Sequence, residues 1–127
     1  MPRRRLIAWL PAVAYMLLIW VLSSMPQQFK VDFIPFRDKG IHFVEYGALA
    51  ALLAHAMRGT WPEWRFRGVF FASWSITVLW GLLDEIHQAF VPGRVPDVRD
   101  VIADAMGGLL GAVIYLALRS PRRLTRP

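Results

Sequence analysis

Four apolar stretches, separated by short polar segments, constrain this chain more than any other feature. From Leu6 to Leu22 there is no charged residue. Further apolar runs extend from Ile41 to Met57, from Val69 to Leu83 and from Val101 to Leu118, the last interrupted only by Asp104. A membrane-spanning helix needs about 20 mostly apolar residues, so the second and third runs are expected to continue into their polar flanks. Hydrocarbon offers a backbone no hydrogen-bond partners, so such runs cross a bilayer as helices. Hydrophobic residues make up 56% of the chain, above the roughly 45–50% of soluble domains. The expected fold class is all-α: an integral membrane bundle of four transmembrane helices, forming one domain over residues 1–127.

The basic residues set an orientation. Arg3, Arg4 and Arg5, then Arg58, Arg65 and Arg67, then Arg119, Arg122, Arg123 and Arg126 fall on one side of a four-span chain. Lys30, Arg37, Lys39, Arg94 and Arg99 fall on the other. Ten against five places both termini in the cytoplasm by the positive-inside rule, with the chain multi-pass in a bacterial inner membrane. The net charge of +6 therefore reads as flanks of membrane spans in contact with the lipid bilayer, and no nucleic-acid partner is expected. The first run exceeds the h-region of a signal peptide, no A-x-A site follows it, and Ser23-Ser24-Met25-Pro26 reads as a helix end, so a retained anchor is expected. The arginine-rich tail after Arg119 is expected to be a basic end lying on anionic headgroups. There is no cysteine, which excludes disulfides, thiolate metal sites and a thiol nucleophile.

The remaining polar residues gather at the outer ends of the spans. Asp38, His42 and Glu45 follow i, i+4, i+7 and share one helical face, with Lys39 and Tyr46 beside them. Asp84 and Gln88 are i, i+4 at the end of the third span, next to Glu85. Asp97, Asp100 and Asp104 follow i, i+3, i+7 on the fourth. Lipid cannot solvate such stripes, so they face one another or a wet cavity, with Asp104 deepest. Several positions also have a purely structural reading. Asp97 suits a helix N-cap, and Pro92-Gly93 suits a turn. Arg94 reads equally as a structural ion pair or as a contact to a ligand carboxylate or phosphate. Asp38–Lys39 reads equally as a solvated interface pair or as part of the site, and His42–Glu45 equally as a pair locking the second span to its neighbours or as part of the site. His87 either joins the site or points to water, and His55 belongs to the far, interfacial end. Gly107 and Gly111 form a G-x-x-x-G pattern, expected to make the fourth span the central packed helix and leaving an oligomer contact open.

Taken together, Ser23-Ser24-x-Pro26, Asp38-Lys39-x-x-His42-Phe43-x-x-Tyr46, Asp84-Glu85-x-x-Gln88-x-Phe90-x-Pro92-Gly93-Arg94, then Asp97, Asp100 and the small-residue stretch Gly107 to Gly111, resemble the VanZ-like family of bacterial membrane proteins. The resemblance implies a cell-envelope role, because the family's namesake accompanies glycopeptide-resistance systems and is associated with teicoplanin resistance. The family pattern often carries asparagine at the position of Asp104, so this chain departs from it there.

Three functions are compatible with these residues. In the first, the outer polar site binds a lipid-linked cell-wall precursor or a lipid-bearing glycopeptide, with Arg94 on phosphate or carboxylate and Asp84, Glu85 and Gln88 on sugar or amide groups. In the second, an enzyme acts on such a lipid, with His42 or Glu45 as general base or with a divalent metal on the carboxylates, His42 and His87. No H-E-x-x-H or G-x-S-x-G motif supports turnover, Ser23 and Ser24 have no evident partner, and no cofactor is required by any motif. In the third, the polar network only specifies helix packing.

Overall fold

The computed structural model describes residues 3–26 and 37–119. Lys30, Phe36 and the tail arginines Arg122, Arg123 and Arg126 lie outside the described residues. The described chain contains four helices: α1 (Arg3–Ser23), α2 (Arg37–Thr60), α3 (Phe66–Gln88) and α4 (Val98–Arg119). Each is long and apolar enough to cross a membrane. α1, the shortest at 21 residues, is about 32 Å long at 1.5 Å per residue, matching a hydrocarbon core of about 30 Å. As expected from their short apolar runs, α2 and α3 extend into their polar flanks, α2 from Arg37 and α3 to Gln88. Leu10, Leu17, Phe71, Leu79, Met106 and Leu118 point outward. Such an apolar exterior suits lipid and would be costly in water, and we read the chain as a multi-pass membrane protein.

The buried centre is α2. It packs against each of the other three helices, whereas α4 packs on α2 and α3 and does not touch α1. The expectation that the fourth span is central is therefore corrected: α4 is the principal partner of a central α2. Tyr46, Leu49, Ala50, Leu53, Ala54 and Met57 of α2 are buried. Ala12 and Ile19 of α1 pack on Tyr46, Leu49 and Leu53, and Val69 of α3 and Leu116 of α4 pack on Ala54 and Met57.

Glycine explains why α4 sits so close to α2. A Cβ on Gly107 would lie 2.0 Å from the Phe43 carbonyl oxygen, and one on Gly111 would lie 2.0 Å from the Gly47 carbonyl oxygen. A Cβ on Gly47 would meet the Gly107 carbonyl oxygen at 3.0 Å. The two backbones are thus in direct contact along more than one turn, the close approach that small residues permit in membrane bundles. The face of Gly107 and Gly111 is occupied by α2 of the same chain. Gly81 plays a related part on α3, where a Cβ would collide with the Asp104 carboxylate at 2.6 Å.

Polar ties reinforce the far end of the bundle. Trp9 Nε1 donates to Thr60 Oγ1 at 2.8 Å, Trp74 Nε1 donates to the Ala105 carbonyl at 2.9 Å, and the exposed His55 pairs with Tyr115 at 2.8 Å. Trp61 and Trp64 stack at 4.9 Å beside Arg58, an aromatic-and-basic edge suited to a water–lipid boundary.

Substitution at the seam tests its role. Gly111→Val in detergent is expected to lower stability by about 1–3 kcal/mol, the ordinary cost of overpacking. Gly40→Ala, whose Cβ meets nothing within 4 Å, is expected to be neutral or to stabilise α2 by up to about 1 kcal/mol. Thermal melts of the two variants beside the wild type check both signs, and equal melting would remove the seam from the account.

Candidate functional site

The α2–α4 seam brings the polar face of α2 against that of α4 at the end where α1 and α3 finish. Lys39 Nζ reaches Asp97 Oδ2 at 2.9 Å, forms a short contact with Asp100 Oδ1 and lies 3.7 Å from Asp38. One turn deeper, His42 Nδ1 pairs with Asp104 Oδ1 at 2.9 Å. Its other nitrogen, Nε2, lies 3.8 Å from Asp100 Oδ2. The sequence stripes therefore interlock as Lys39 with Asp97 and Asp100, and His42 with Asp104. Asp104 is fully buried, as its depth in the span implied, and its charge has a partner. A buried carboxylate left unpaired would cost several kcal/mol.

α3 supplies the third wall. Asp84, Glu85 and Gln88 are buried. Gln88 Nε2 donates to Asp84 Oδ2 at 3.0 Å, and Glu85 Oε2 accepts the Asp97 backbone N–H at 2.9 Å. Tyr46, fully buried, places its hydroxyl against Asp84 but outside hydrogen-bonding geometry. Glu45 is half-buried on the same helix.

Asp97 carries both roles considered for it. Oδ1 accepts the Arg99 backbone N–H at 2.8 Å, an N-cap for α4, while Oδ2 takes Lys39. The Lys39 ammonium, and then the Arg99 N–H, hold the Asp97 carboxyl below its ordinary value. A depressed carboxyl favours the folded state above its unfolded pKa of about 3.9, and that advantage disappears as pH falls through the lower folded value.

Arg94 answers the question its position raised. Arg94 N donates to the Val91 carbonyl at 3.1 Å across Pro92 and Gly93, and Gly93 has φ 78°. Pro at the second position and a left-handed glycine at the third are the signature of a type II turn. That turn aims the guanidinium at α1, where Nε donates to the Met25 carbonyl at 3.1 Å and Nη2 to the Leu22 carbonyl at 3.0 Å. Arg94 thus ties off the carbonyl-rich end of α1, where a cation is favoured. Among the described residues Arg94 is held by backbone carbonyls rather than by an ion pair.

Sequence reasoning missed a second, shallower group. Ser24 Oγ and His87 Nε2 lie 2.8 Å apart, and the His87 ring stacks on Trp20 at 4.1 Å. These residues are far apart in sequence, so no local spacing announces the pair. Ser24 Oγ also donates to the Trp20 carbonyl at 2.7 Å, which occupies its one proton. With that proton on the carbonyl, His87 is the donor and the pair is a tie between α1 and α3, distinct from a nucleophile facing its base. His87 therefore joins Ser24 and Trp20 rather than the deeper carboxylates.

Several atoms of the deeper polar cluster lack partners. Among the described residues, the buried polar side-chain atoms without a hydrogen-bond partner are Ser23 Oγ, Tyr46 OH, Trp80 Nε1, Asp84 Oδ1, Glu85 Oε1 and Asp104 Oδ2. Folded proteins leave few such groups, and here they collect at one end of one bundle, three of the six being carboxylate oxygens. His42, Glu85 and Asp100 in addition each offer a ligand atom within 4.8 Å of the others. The arrangement can accept hydrogen bonds from a donor-rich group or hold a cation, and its lysine is already engaged.

Two changes probe this geometry. Arg94→Ala leaves two carbonyls at the end of α1 without their charged donor and is expected to cost about 1.5–3 kcal/mol, with Arg94→Lys recovering part of it in the same thermal melt. Asp97→Asn keeps a cap for α4 but removes the ion pair. Its melting temperature should therefore vary less than that of the wild type as pH falls below about 4.

The whole-chain comparison agrees with the geometry in its extent. Residues 6–119 match the family described as VanZ/LLP1, a stretch running from the start of α1 to the end of α4. Comparison with curated proteins and with solved structures gives no match. With nearly its whole length matched, and with all four helices and the polar chamber inside the matched stretch, the chain belongs to the VanZ/LLP1 family.

Proposed function

We propose that this protein is an inner-membrane component of the bacterial cell envelope whose polar chamber opens on the outer face and binds the headgroup of an amphiphile rich in hydrogen-bond donors. A lipid-linked cell-wall precursor or a lipid-bearing glycopeptide has that character, with sugar hydroxyls, amides and an apolar tail. The observation that carries the reading is the set of unpartnered buried acceptors on Asp84, Glu85 and Asp104. Donors on a headgroup would satisfy them, and the exposed apolar helix faces would accompany the tail. The family-level link of VanZ proteins to glycopeptide resistance supports this reading. With Arg94 engaged on α1, recognition rests on the carboxylates and Gln88, so the preferred groups are hydroxyls, amides and amines.

The outer placement rests on the distribution of basic residues. The chain has no cysteine, so single cysteines report its orientation cleanly. Phe90→Cys sits in the exposed turn at the chamber end and Arg67→Cys at the exposed opposite end. An impermeant thiol reagent applied from outside should label the first alone, and labelling of the second alone would put the chamber in the cytoplasm.

Binding itself is tested in a teicoplanin-sensitive host. Expression of the wild type is expected to raise tolerance to teicoplanin above that of the empty vector. Asp84→Asn, at equal membrane level, should weaken headgroup affinity about ten- to hundredfold, the loss of one charge-assisted acceptor, and abolish the gain. Protection that survives in Asp84→Asn, or no protection by the wild type, would reject this ligand class and leave a packing role as the better description.

A further inference from the structure

One orphaned acceptor, Glu85 Oε1, belongs to a group of three side chains arranged in a way that hydrogen bonding to a headgroup does not require. His42, Glu85 and Asp100 come from three different helices, and each is more than nine-tenths buried. Each is also held from behind through one atom. His42 is held at Nδ1 by Asp104, Glu85 at Oε2 by the backbone N–H of Asp97, and Asp100 at Oδ1 by Lys39. What is left over is His42 Nε2, Asp100 Oδ2 and Glu85 Oε1, the last with no partner at all.

Charge points the same way. Asp84, Glu85, Asp100 and Asp104 are four buried carboxylates, and among the described residues the cationic groups that touch them are Lys39 and, when protonated, His42. Arg94 faces the carbonyls of α1. Burying several carboxylates in a membrane bundle demands compensation, and Lys39 is already shared among Asp38, Asp97 and Asp100.

We propose that His42, Glu85 and Asp100 form a binding site for one divalent first-row metal ion, with Asp104 as the residue that positions His42. Two ligands on one such ion at about 2.1 Å each lie roughly 3.0–4.2 Å apart. The 3.8 Å between His42 Nε2 and Asp100 Oδ2 falls in that range and is too long for a hydrogen bond. Glu85 offers its atom within 4.8 Å of both, so a small side-chain rotation closes the set. A histidine that donates Nδ1–H to a carboxylate and turns Nε2 toward a metal is the recurrent arrangement of metal-binding histidines. It explains why an aspartate is buried at position 104 with one oxygen on His42. One imidazole and two carboxylates suit zinc or manganese better than calcium or magnesium, which favour all-oxygen sets. Three protein ligands leave a coordination position open to water or a ligand. The site stands on the chain's own residues and does not depend on the headgroup proposed above.

The test is a metal titration of the full chain in detergent after chelator treatment, read by calorimetry with Zn²⁺ and by visible absorption with Co²⁺. The expected result is one saturable equivalent per chain and a rise in melting temperature with Zn²⁺. Glu85→Gln, which keeps an oxygen for the Asp97 N–H, and His42→Ala should each weaken binding at least tenfold, and Asp104→Asn about tenfold, as outer-shell partners do. His87→Ala, outside the trio, should bind as the wild type does. The proposal is overturned if the wild type takes up no stoichiometric metal, if Glu85→Gln binds equally well, or if His87→Ala loses the site. Should the trio variants fail to fold, the wild-type titration decides alone. No antibiotic or lipid is present in it, so its outcome is separate from that of the tolerance assay.

Discussion

The backbone contact between α2 and α4 governs the rest of the molecule. Gly107 and Gly111 set their helix directly on the carbonyls of Phe43 and Gly47. Side chains flanking so close a seam cannot avoid one another. Toward one end the flanking residues are Lys39 and His42 on α2, Asp97 at the cap of α4 and Asp100 and Asp104 on α4, and they meet as ion pairs of Lys39 and a hydrogen bond between His42 and Asp104. Toward the other they are Ala54, Met57 and Leu116, and they form a dry core. One geometric condition thus builds both halves of the bundle, and the chemistry follows from which residues the sequence places along it.

That arrangement puts more acid into the bundle than its nearby cations neutralise. In water an excess carboxylate is harmless, but a membrane interior charges heavily for each one not paired. The protein answers in part by giving each carboxylate a neighbour: Lys39 for Asp97 and Asp100, His42 for Asp104, Gln88 for Asp84 and the Asp97 N–H for Glu85. Each answer uses one oxygen and leaves the other on Asp84, Glu85 and Asp104 unmatched. A network meant only to lock helices gains nothing from leaving acceptors open, because half-satisfied polar groups cost stability. The incompleteness is the observation on which the binding proposal rests.

Much of this was legible in the sequence. Charge-free runs announced α1 and α3, and the i, i+4, i+7 and i, i+3, i+7 spacings announced which faces of α2 and α4 are polar, because helical period alone determines them. Asp104 was marked as the deepest acid by its distance into the span. What could not be read were pairings across helices. The partnership of His42 with Asp104 rather than Glu45, the pairing of Ser24 with His87, and the engagement of Arg94 with α1 all depend on how helices rotate and which turn joins them. The type II turn was visible in Pro92-Gly93, but where it would aim Arg94 was not. The central place of α2 was also hidden, since G-x-x-x-G in α4 marks a close contact without saying which helix forms the hub.

Position 104 shows how the parts depend on one another. Asparagine at this position would retain a carbonyl oxygen that can accept Nδ1–H from His42, whereas the negative charge would be lost. The feature the two residues share is therefore orientation of the imidazole, and the feature they do not share is charge. Gly81 fits the same interpretation, because a Cβ on α3 would strike the Asp104 carboxylate. The fold keeps room on α3 for the residue that fixes His42, and His42 in turn directs Nε2 toward Asp100. A chain that needed only to fill this space could do so with leucine. Filling it with an acceptor instead, opposite a glycine, fixes the direction of one imidazole ring.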